Sequence, residues 1–293
     1  MELVGSPGFE PGSREPKSPK IVYFDLRDDF RVYLSRYSPE VALKIESYLN
    51  RFLSEKTISS PLDVAQLFKG LSPGQVHNLN MSFRAFLNFC VLKGYPEDWI
   101  KLLKKAIPRD PEFIDLNVPS EEEVASCLSR LNIMPVENRA VWLLCLESGL
   151  RLTEALRVVS NFDERRLFRV NGFYRYELVF FRGSKQAYYA YFTETSLASI
   201  KNVVGKAVKR VNASKFYERN NFVRPKYLRK FAFDKMVELG IPESVADFIE
   251  GRVPRKIGAR HYMSLVKQAD SYYGRYAEYL KALRERCGDL RNS

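Results

Sequence analysis

The chain has 293 residues, 45% of them hydrophobic, and its 47 lysines and arginines outnumber 35 aspartates and glutamates to give a formal net charge of +12. That length fits one large or two ordinary domains with a real core. No apolar run approaches the ~20 residues of a membrane span, so we expect neither a membrane protein nor a signal peptide. A positive excess of this size is typical of nucleic-acid binding, because cations that neutralise phosphates release condensed counterions.

Cysteines and histidines are too few and too scattered to indicate a metal centre. They are Cys90, Cys127, Cys145, Cys287, His77 and His261. No pair of cysteines has the CxxC spacing of a zinc site, and nothing suggests a disulfide framework. We therefore expect reduced thiols and a protein that needs neither metal nor cofactor.

The first part of the chain predicts a tail, a helical domain and a linker. Residues 1–20 are rich in Gly, Pro and Ser and are expected to be disordered. Residues 21–112 carry apolar side chains at three-to-four spacing, which predicts a small domain of four or five helices. Residues 113–119 show no periodicity and are expected to form the linker.

Residues 120–293 predict a second domain that is mainly helical with a small antiparallel β-sheet. Its first helix is opened by a capping box at Ser120 and Glu123. Further helices are expected at about 136–148, 195–211, 225–239, 243–250 and 264–286. Residues 167–193 alternate in polarity and are rich in aromatic and β-branched side chains, which predicts strands. Their turns are expected at Asn171-Gly172 and Gly183-Ser184, so that Lys185 follows the second turn.

An arginine lies at the junction of two predicted helices. Gly149 is expected to end the apolar helix 136–148, and Thr153 or a neighbour is expected to cap the next helix. Arg151 lies between them. A cation fixed at such a joint is not an ordinary solvated surface residue.

Further cations precede a tyrosine near the end of the chain. Lys226 and Arg229 are three residues apart and so share one face of a helix. Arg252 follows a short helix and lies ten residues before Tyr262. Several cations around one phenol could hold a phosphodiester and let an aryl oxygen attack it. The alternative is a basic DNA-binding helix followed by a tyrosine that only packs.

These residues occur in the order that a known enzyme family uses. The run ESGLRLTEAL, which contains Arg151, resembles the TGLR-x-SE-L box of the tyrosine recombinase (phage integrase) superfamily. The family order is arginine, lysine, His-x-x-Arg, His or Trp, then tyrosine. This chain offers Arg151, Lys185, Lys226, Arg229, Arg252 and Tyr262. Lys226 and Arg252 depart from the usual residues, as in archaeal virus and plasmid (fusellovirus-type) integrases, whose GRVP…RHY ending is also shared.

The resemblance implies a site-specific DNA integrase with an N-terminal helical core-binding domain and a tyrosine-recombinase catalytic domain. Tyr262 would form a covalent 3′-phosphotyrosine intermediate, and the arginines would neutralise the scissile phosphate. Lys185 would be the general acid, although Lys201 competes for that role. Lys226 could act as an acid or base, or only as a phosphate clamp. Because the ester conserves energy, no cofactor is implied.

The expected partners follow from the same resemblance. They are double-stranded attachment-site DNA and further copies of the chain, as a homotetramer on DNA and a monomer or weak oligomer when free. We expect the protein in the cytoplasm of the host cell, on DNA. The aromatic helix after Tyr262 is expected to dock on a neighbouring subunit, the alternative being that it packs on its own domain. Back-translation of residues 8–11 allows the sequence of a tRNA T-arm, which suggests integration at a tRNA gene, or simply a floppy tail.

Two other functions stay open at this stage. A type IB topoisomerase-like enzyme shares the tyrosine chemistry, and a catalytically inactive relative would only bind DNA. Among the residues, Tyr262 competes as nucleophile with three tyrosines of the last helix. They are Tyr272, Tyr273 and Tyr276. His261 is interpreted as a neighbour of the nucleophile that could contact phosphate.

Overall fold

The computed structural model describes residues 19–110, 115–182, 185–206, 208–252 and 264–289. The chain divides into two compact units, Met1–Asp115 and Leu116–Ser293. Most of the tail expected to be disordered lies outside the described residues, as does the turn at Gly183-Ser184. In the described part of the chain no helix has both the length and the apolar character needed to cross a membrane.

The N-terminal unit is helical, as predicted. Its described helices are α1 (Tyr23–Leu34), α2 (Pro39–Leu53), α3 (Pro61–Leu67), α4 (Pro73–Leu92) and α5 (Glu97–Lys105). Two short strands that the sequence did not predict, Ile21–Val22 (β1) and Thr57–Ile58 (β2), pair antiparallel. The helices enclose an aromatic centre in which the rings of Phe30 and Phe86 meet edge-on with centroids 5.1 Å apart.

The C-terminal unit combines helices with one small sheet, which confirms the predicted fold class. Its described helices are α6 (Glu121–Ser129), α7 (Val136–Ser148), α8 (Leu152–Ser160), α9 (Glu194–Lys201), α10 (Arg210–Arg219), α11 (Pro225–Glu238), α12 (Glu243–Ile249) and α13 (Leu265–Asp289). The predicted capping box opens α6, where Ser120 and Glu123 bond reciprocally. Helix α7 is buried from Ala140 to Ser148 and packs against α8, α9 and α11.

The prediction of a single helix over 195–211 is wrong. Helix α9 ends at Lys201, and Gly205 then adopts a φ of 80°, a conformation that interrupts a helix. Helix α10 is a separate element whose Ala213 and Tyr217 are fully buried. The Tyr217 hydroxyl donates to the carbonyl oxygen of Asn138 (2.9 Å). This burial depends on contacts distant in sequence, which no local pattern reveals.

The sheet has the predicted antiparallel order. Its strands are β3 (Leu167–Val170), β4 (Phe173–Arg182) and β5 (Lys185–Phe192). The predicted turn between β3 and β4 has positive φ angles at Asn171 (32°) and Gly172 (90°). The described end of β5 buries Tyr191 and Phe192 in the core of the unit. The sheet thus stands against the helices with Lys185 as the first residue of its last strand.

Helix α13 packs into its own unit, so the prediction that its aromatic face docks on a neighbouring subunit is wrong for the residues that form that face. Tyr273, Tyr276 and Leu280 are fully buried in the same core as α7. Two phenols reach backbone carbonyls at the end of α7: Tyr273 donates to Glu147 (2.9 Å) and Tyr276 to Leu146 (2.8 Å). The aromatic surface that the sequence assigned to a partner is core in this chain.

Candidate active site

The junction of α7 and α8 depends on a glycine. Helix α7 ends at Ser148, and Gly149 adopts the left-handed conformation with φ of 60°. A Cβ atom at this position would lie 2.6 Å from Oε1 of Glu250, so a larger residue would also collide. Gly149 therefore allows the chain to turn while the end of α12 approaches closely.

Arg151 occupies the cap position of α8. Its backbone N–H donates to Oε2 of Glu154 (2.8 Å), as an acidic third residue does in a capping box. Thr153, one candidate for the cap, lies inside the helix. The Arg151 side chain donates through Nη1 to Oε1 of Glu154 (2.7 Å) and to the carbonyl oxygen of Gly251 (3.1 Å). These bonds fix the arginine between α8 and the end of α12, with 28% of its side chain exposed.

Arg229, from α11, lies deepest in the site. Its residue exposure is 7%, and Nη1 donates to the carbonyl oxygens of Gly149 (2.8 Å) and Glu250 (2.6 Å). Its Nη2 is buried and has no hydrogen-bond partner among the described residues. Burial lowers the pKa of this guanidinium to about 10, against the attraction of Glu250. An arginine held by two carbonyls with one nitrogen left over is positioned to bind a further acceptor.

The end of α12 supplies the third arginine. Gly251 has φ of 71°, and a Cβ there would lie 2.7 Å from the Cβ of Ala187 on β5. Arg252 follows, with its Nη1 3.4 Å from Oδ1 of Asp247 and its Nη2 3.2 Å from Oε2 of Glu250. Its guanidinium also lies over the ring of Phe233, 5.3 Å from the centroid.

The three arginines converge on one carboxyl group. Glu250 is fully buried, and its Oε2 lies 3.5 Å from Nε of Arg229. Burial raises the pKa of Glu250 to about 8, while the charges of Arg229, Arg252 and Arg151 act against that rise. Neither carboxyl oxygen has a hydrogen-bond partner among the described residues. Guanidinium groups from three separate elements thus lie around the carboxyl group of Glu250.

A second buried carboxyl, that of Glu147, stabilises the junction of α7 and α8. Glu147, near the end of α7, is fully buried and forms an ion pair with Arg284 of α13. Its Oε2 accepts the backbone N–H of Thr193 (2.6 Å), just after β5. Because Tyr273 and Tyr276 also bond to the end of α7, helix α13 holds the backbone that leads into Arg151.

The tyrosines of α13 are structural. Burial raises the pKa values of Tyr273 and Tyr276 well above the ordinary value, and both hydroxyls donate to backbone carbonyls. A phenol held protonated in a core is a poor nucleophile. Tyr272 is half-buried, and Arg275 lies over its ring at 4.9 Å. Among the described residues, no hydrogen bond joins these three tyrosines to the arginine cluster.

For the other predicted site residues, no contact with the arginine cluster is described. Lys226 is exposed at the start of α11, one turn before Arg229, with its amine 5.1 Å from the ring centroid of Tyr227. The Lys185 side chain, His261 and Tyr262 lie outside the described residues. Lys201, the competitor of Lys185, forms an ion pair with Glu164 (2.7 Å) on an exposed surface.

Sequence reasoning missed the acidic half of the site. Glu154 and Asp247 each pair with one arginine and Glu250 pairs with two, yet none of these acids was named from the sequence. One local signal existed: Glu154 follows Arg151 by three residues at a helix start, the spacing of a capping interaction. Glu250 gave no such signal, because its neighbour Gly149 is a hundred residues away in the chain.

Comparisons with known proteins bear on the C-terminal unit most directly. The family model described as "Archaeal phage integrase" matches residues 116–279, more than half of the chain. Two solved structures match the chain. The integrase from mycobacterium phage Brujita is 11% identical with a TM-score of 0.39, and the match covers 86% of this chain and 92% of that one. XerA recombinase is 16% identical with a TM-score of 0.35, and the match covers 85% of this chain and 93% of that one. No curated protein matches the chain.

Proposed function

Because the chain belongs to the archaeal phage integrase family, we propose that it is a site-specific integrase that cuts and rejoins DNA through a covalent 3′-phosphotyrosine. The observation that supports this most is the convergence of Arg151, Arg229 and Arg252 around one buried carboxyl. These three guanidiniums are held in place by the backbone carbonyls and acids around them. They suit a ligand with a concentrated negative charge, such as a phosphodiester.

The reaction is a transesterification. The Tyr262 hydroxyl gives its proton to solvent water as its oxygen attacks phosphorus, which forms the tyrosine–phosphate bond. The bond from phosphorus to the 5′ oxygen breaks, and that oxygen leaves as a 5′-hydroxyl after taking up a proton. Rejoining reverses these steps with the 5′-hydroxyl of another strand. The number of phosphodiester bonds is conserved, so no external energy source enters the balance.

The arginines would act on the charge that develops at phosphorus. Arg229 has one buried nitrogen without a partner among the described residues, and Arg151 and Arg252 keep part of their side chains exposed. Donors held in place before the reaction stabilise the transition state without reorganising. Loss of one such donor typically costs about 10²–10³ in rate.

Two lysines are assigned roles in proton transfer or binding. Lys185 begins β5, the strand whose Ala187 faces Gly251 beside the arginines, and we assign it the protonation of the leaving 5′ oxygen. Lys226 lies one turn from Arg229 on α11. Because Lys226 is exposed, we assign it a contact with a DNA phosphate rather than a role as a general acid or base.

The proposed partner is double-stranded DNA at an attachment site. A net charge of +12 favours a polyanion, and DNA is the substrate that the family description suggests. Integration joins two such sites, so the active assembly is proposed to be a homotetramer on DNA, and the tRNA-like coding of residues 8–11 suggests a tRNA gene as target.

The decisive experiment traps the covalent intermediate. A DNA duplex carrying a nick just beyond the cleavage site loses its short 5′-hydroxyl fragment, so an enzyme that cuts stays bound. The wild type should form an adduct that survives denaturation, and Tyr262→Phe should form none while still shifting DNA within a few fold of wild-type affinity. Tyr272→Phe is the matched control and should form the adduct normally.

Three results would change the assignment. An adduct in Tyr262→Phe that disappears in Tyr272→Phe would move the nucleophile. DNA binding without any adduct in the wild type would indicate an inactive DNA-binding relative. Adduct formation with relaxation of supercoils lacking paired sites, and no recombination, would indicate a topoisomerase-like enzyme.

A further inference from the structure

Glu250 is a buried acid at the point where a phosphate-binding enzyme should be most positive. Its residue exposure is 0%, and Oε2 lies 3.2 Å from Nη2 of Arg252 and 3.5 Å from Nε of Arg229. Its Oε1 lies so close to Gly149 that any Cβ there would collide. The proposed reaction uses no carboxylate, so the presence of this side chain calls for a separate role.

The charge of the cluster depends on this one group. Arg151 is paired with Glu154 at 2.7 Å, and Arg252 is paired with Asp247 at 3.4 Å. Glu250 is shared: it lies 3.2 Å from Arg252 and is also the carboxyl that pairs with Arg229 among the described residues. With Glu250 ionised, three cations face three anions and the cluster is neutral. With Glu250 protonated, the same atoms carry one net positive charge towards a phosphate.

Other titratable groups also face the carboxyl from the elements around it. Among the described residues they are Arg151 from the α7–α8 junction, Arg229 from α11, Asp247 and Arg252 from its own segment, and Tyr276 from α13; Glu154 acts on Arg229 and Arg151. The arginines favour the ionised form, and Asp247 and burial favour the protonated form. Opposing effects thus act on the protonation of Glu250.

We propose that Glu250 is a positioning residue that orients Arg229 and Arg252 and sets the positive charge which the cluster offers to a DNA phosphate, so that the site is strongest while this carboxyl is protonated. The inference rests on the proposed function. A phosphodiester placed among the arginines adds negative charge near Glu250, and like charges disfavour ionisation. Binding should therefore keep the carboxyl protonated, and ionisation should oppose binding.

The expected pH range follows from burial. Burial raises the pKa of Glu250 to about 8, so the carboxyl is mainly protonated at pH 7 and mainly ionised at pH 9. Above pH 8 the wild type must take up a proton to reach its strongest state. This group alone then weakens phosphate binding or cleavage by up to about tenfold for each pH unit.

The first test compares Glu250→Gln with wild type in single-turnover cleavage of the nicked duplex from pH 6 to 9.5. Glutamine has the shape of the protonated acid, so the variant should cleave within a few fold of wild type at pH 7. The ratio of variant to wild-type rate should then rise about fivefold between pH 8 and 9 and approach tenfold per unit above that. Titration of the other active-site groups cancels in this ratio. Glu243→Gln, an equal change at the exposed start of α12, should give a constant ratio.

The second test needs no DNA. A folded-state pKa above the unfolded one gives stability that is present at low pH and is lost as pH rises through the folded pKa. The melting temperature of Glu250→Gln relative to wild type should therefore rise between pH 5 and 8 and then level off, while that of Glu243→Gln should not. Glu250→Met, also neutral and similar in length, replaces the glutamine variant if that one does not fold.

The outcomes separate the two proposals. A constant rate ratio across the range, from an active wild type, overturns the role of Glu250. A wild type that never forms an adduct overturns the proposed function, and the melting temperatures then decide for Glu250: a pH-independent difference shows that the carboxyl does not titrate, and the inference fails.

Discussion

Replacement of Arg229 by alanine tests the site and its structural support together. The guanidinium donates to two backbone carbonyls, those of Gly149 (2.8 Å) and Glu250 (2.6 Å), and faces the Glu250 carboxyl. A hydrogen bond from a charged donor contributes about 1.5–3 kcal/mol. Loss of both bonds in a buried site should therefore lower the free energy of unfolding by about 3–6 kcal/mol.

Two assays separate stability from chemistry. Thermal unfolding should show a marked drop in the melting temperature of Arg229→Ala, and at a temperature where the variant is still folded its cleavage rate should be lower by about 10²–10³. Arg229→Lys keeps the charge but not the planar donor, so it should recover stability only in part and activity less.

A double variant sharpens the result. In Arg229→Ala with Glu250→Gln, a neutral amide replaces the acid that the fold must keep protonated, so part of the lost stability should return. The cleavage rate should stay low, because the donor to the phosphate is still missing. Wild-type cleavage by folded Arg229→Ala, or an unchanged melting temperature, would refute the reasoning.

Two further changes follow from the packing around the site. Gly149→Ala places alanine in a left-handed backbone conformation, which costs about 1–2 kcal/mol, and puts a Cβ 2.6 Å from Oε1 of Glu250. The variant should therefore melt at a lower temperature and cleave DNA more slowly than the control Gly172→Ala. Gly172 is also left-handed, but its Cβ would meet no atom within 4 Å. Truncation after Ser264 removes the buried Tyr273 and Tyr276, each comparable to a large-to-small core change of about 3–5 kcal/mol. The melting transition of the C-terminal unit should disappear while that of the N-terminal unit persists; a truncated chain that keeps both transitions would show that α13 is dispensable to the core.

Local patterns were sufficient for most elements of the fold. The apolar run of α7, the capping box at Ser120 and the turn at Asn171 each carry their signal within a few residues. Helix α10 was missed because its burial rests on only a few residues, among them Ala213 and Tyr217, within a polar stretch. Nothing in that stretch repeats often enough to reveal a buried face.

The partner of an amphipathic face was harder to predict than the face itself. The sequence showed that the last helix has an aromatic side, and the structure places that side against α7 of the same unit. Periodicity reports that a surface is apolar, but it cannot say which surface covers it. The hydroxyls of Tyr273 and Tyr276 settle the matter by bonding to the end of α7.

In the candidate site, too, some residues could be predicted from the sequence and others could not. Arg151 and Arg229 were predicted because they lie in recognisable motifs, and the structure brings them together with Arg252. The acids between them were not predicted, because an ion pair such as Arg229 with Glu250 joins elements that are separate in sequence. Charge balance inside a buried cluster is a property of the folded chain.

The most direct test of the account is whether the arginines act on the charge of the scissile phosphate. A nicked duplex is prepared twice, with an ordinary phosphate and with an uncharged methylphosphonate at the cleavage position. On phosphate, Arg151→Ala should cleave about 10²–10³ more slowly than wild type; on methylphosphonate, where there is no such charge to neutralise, it should cleave at nearly the wild-type rate. An equal defect of Arg151→Ala on both substrates would contradict the central claim.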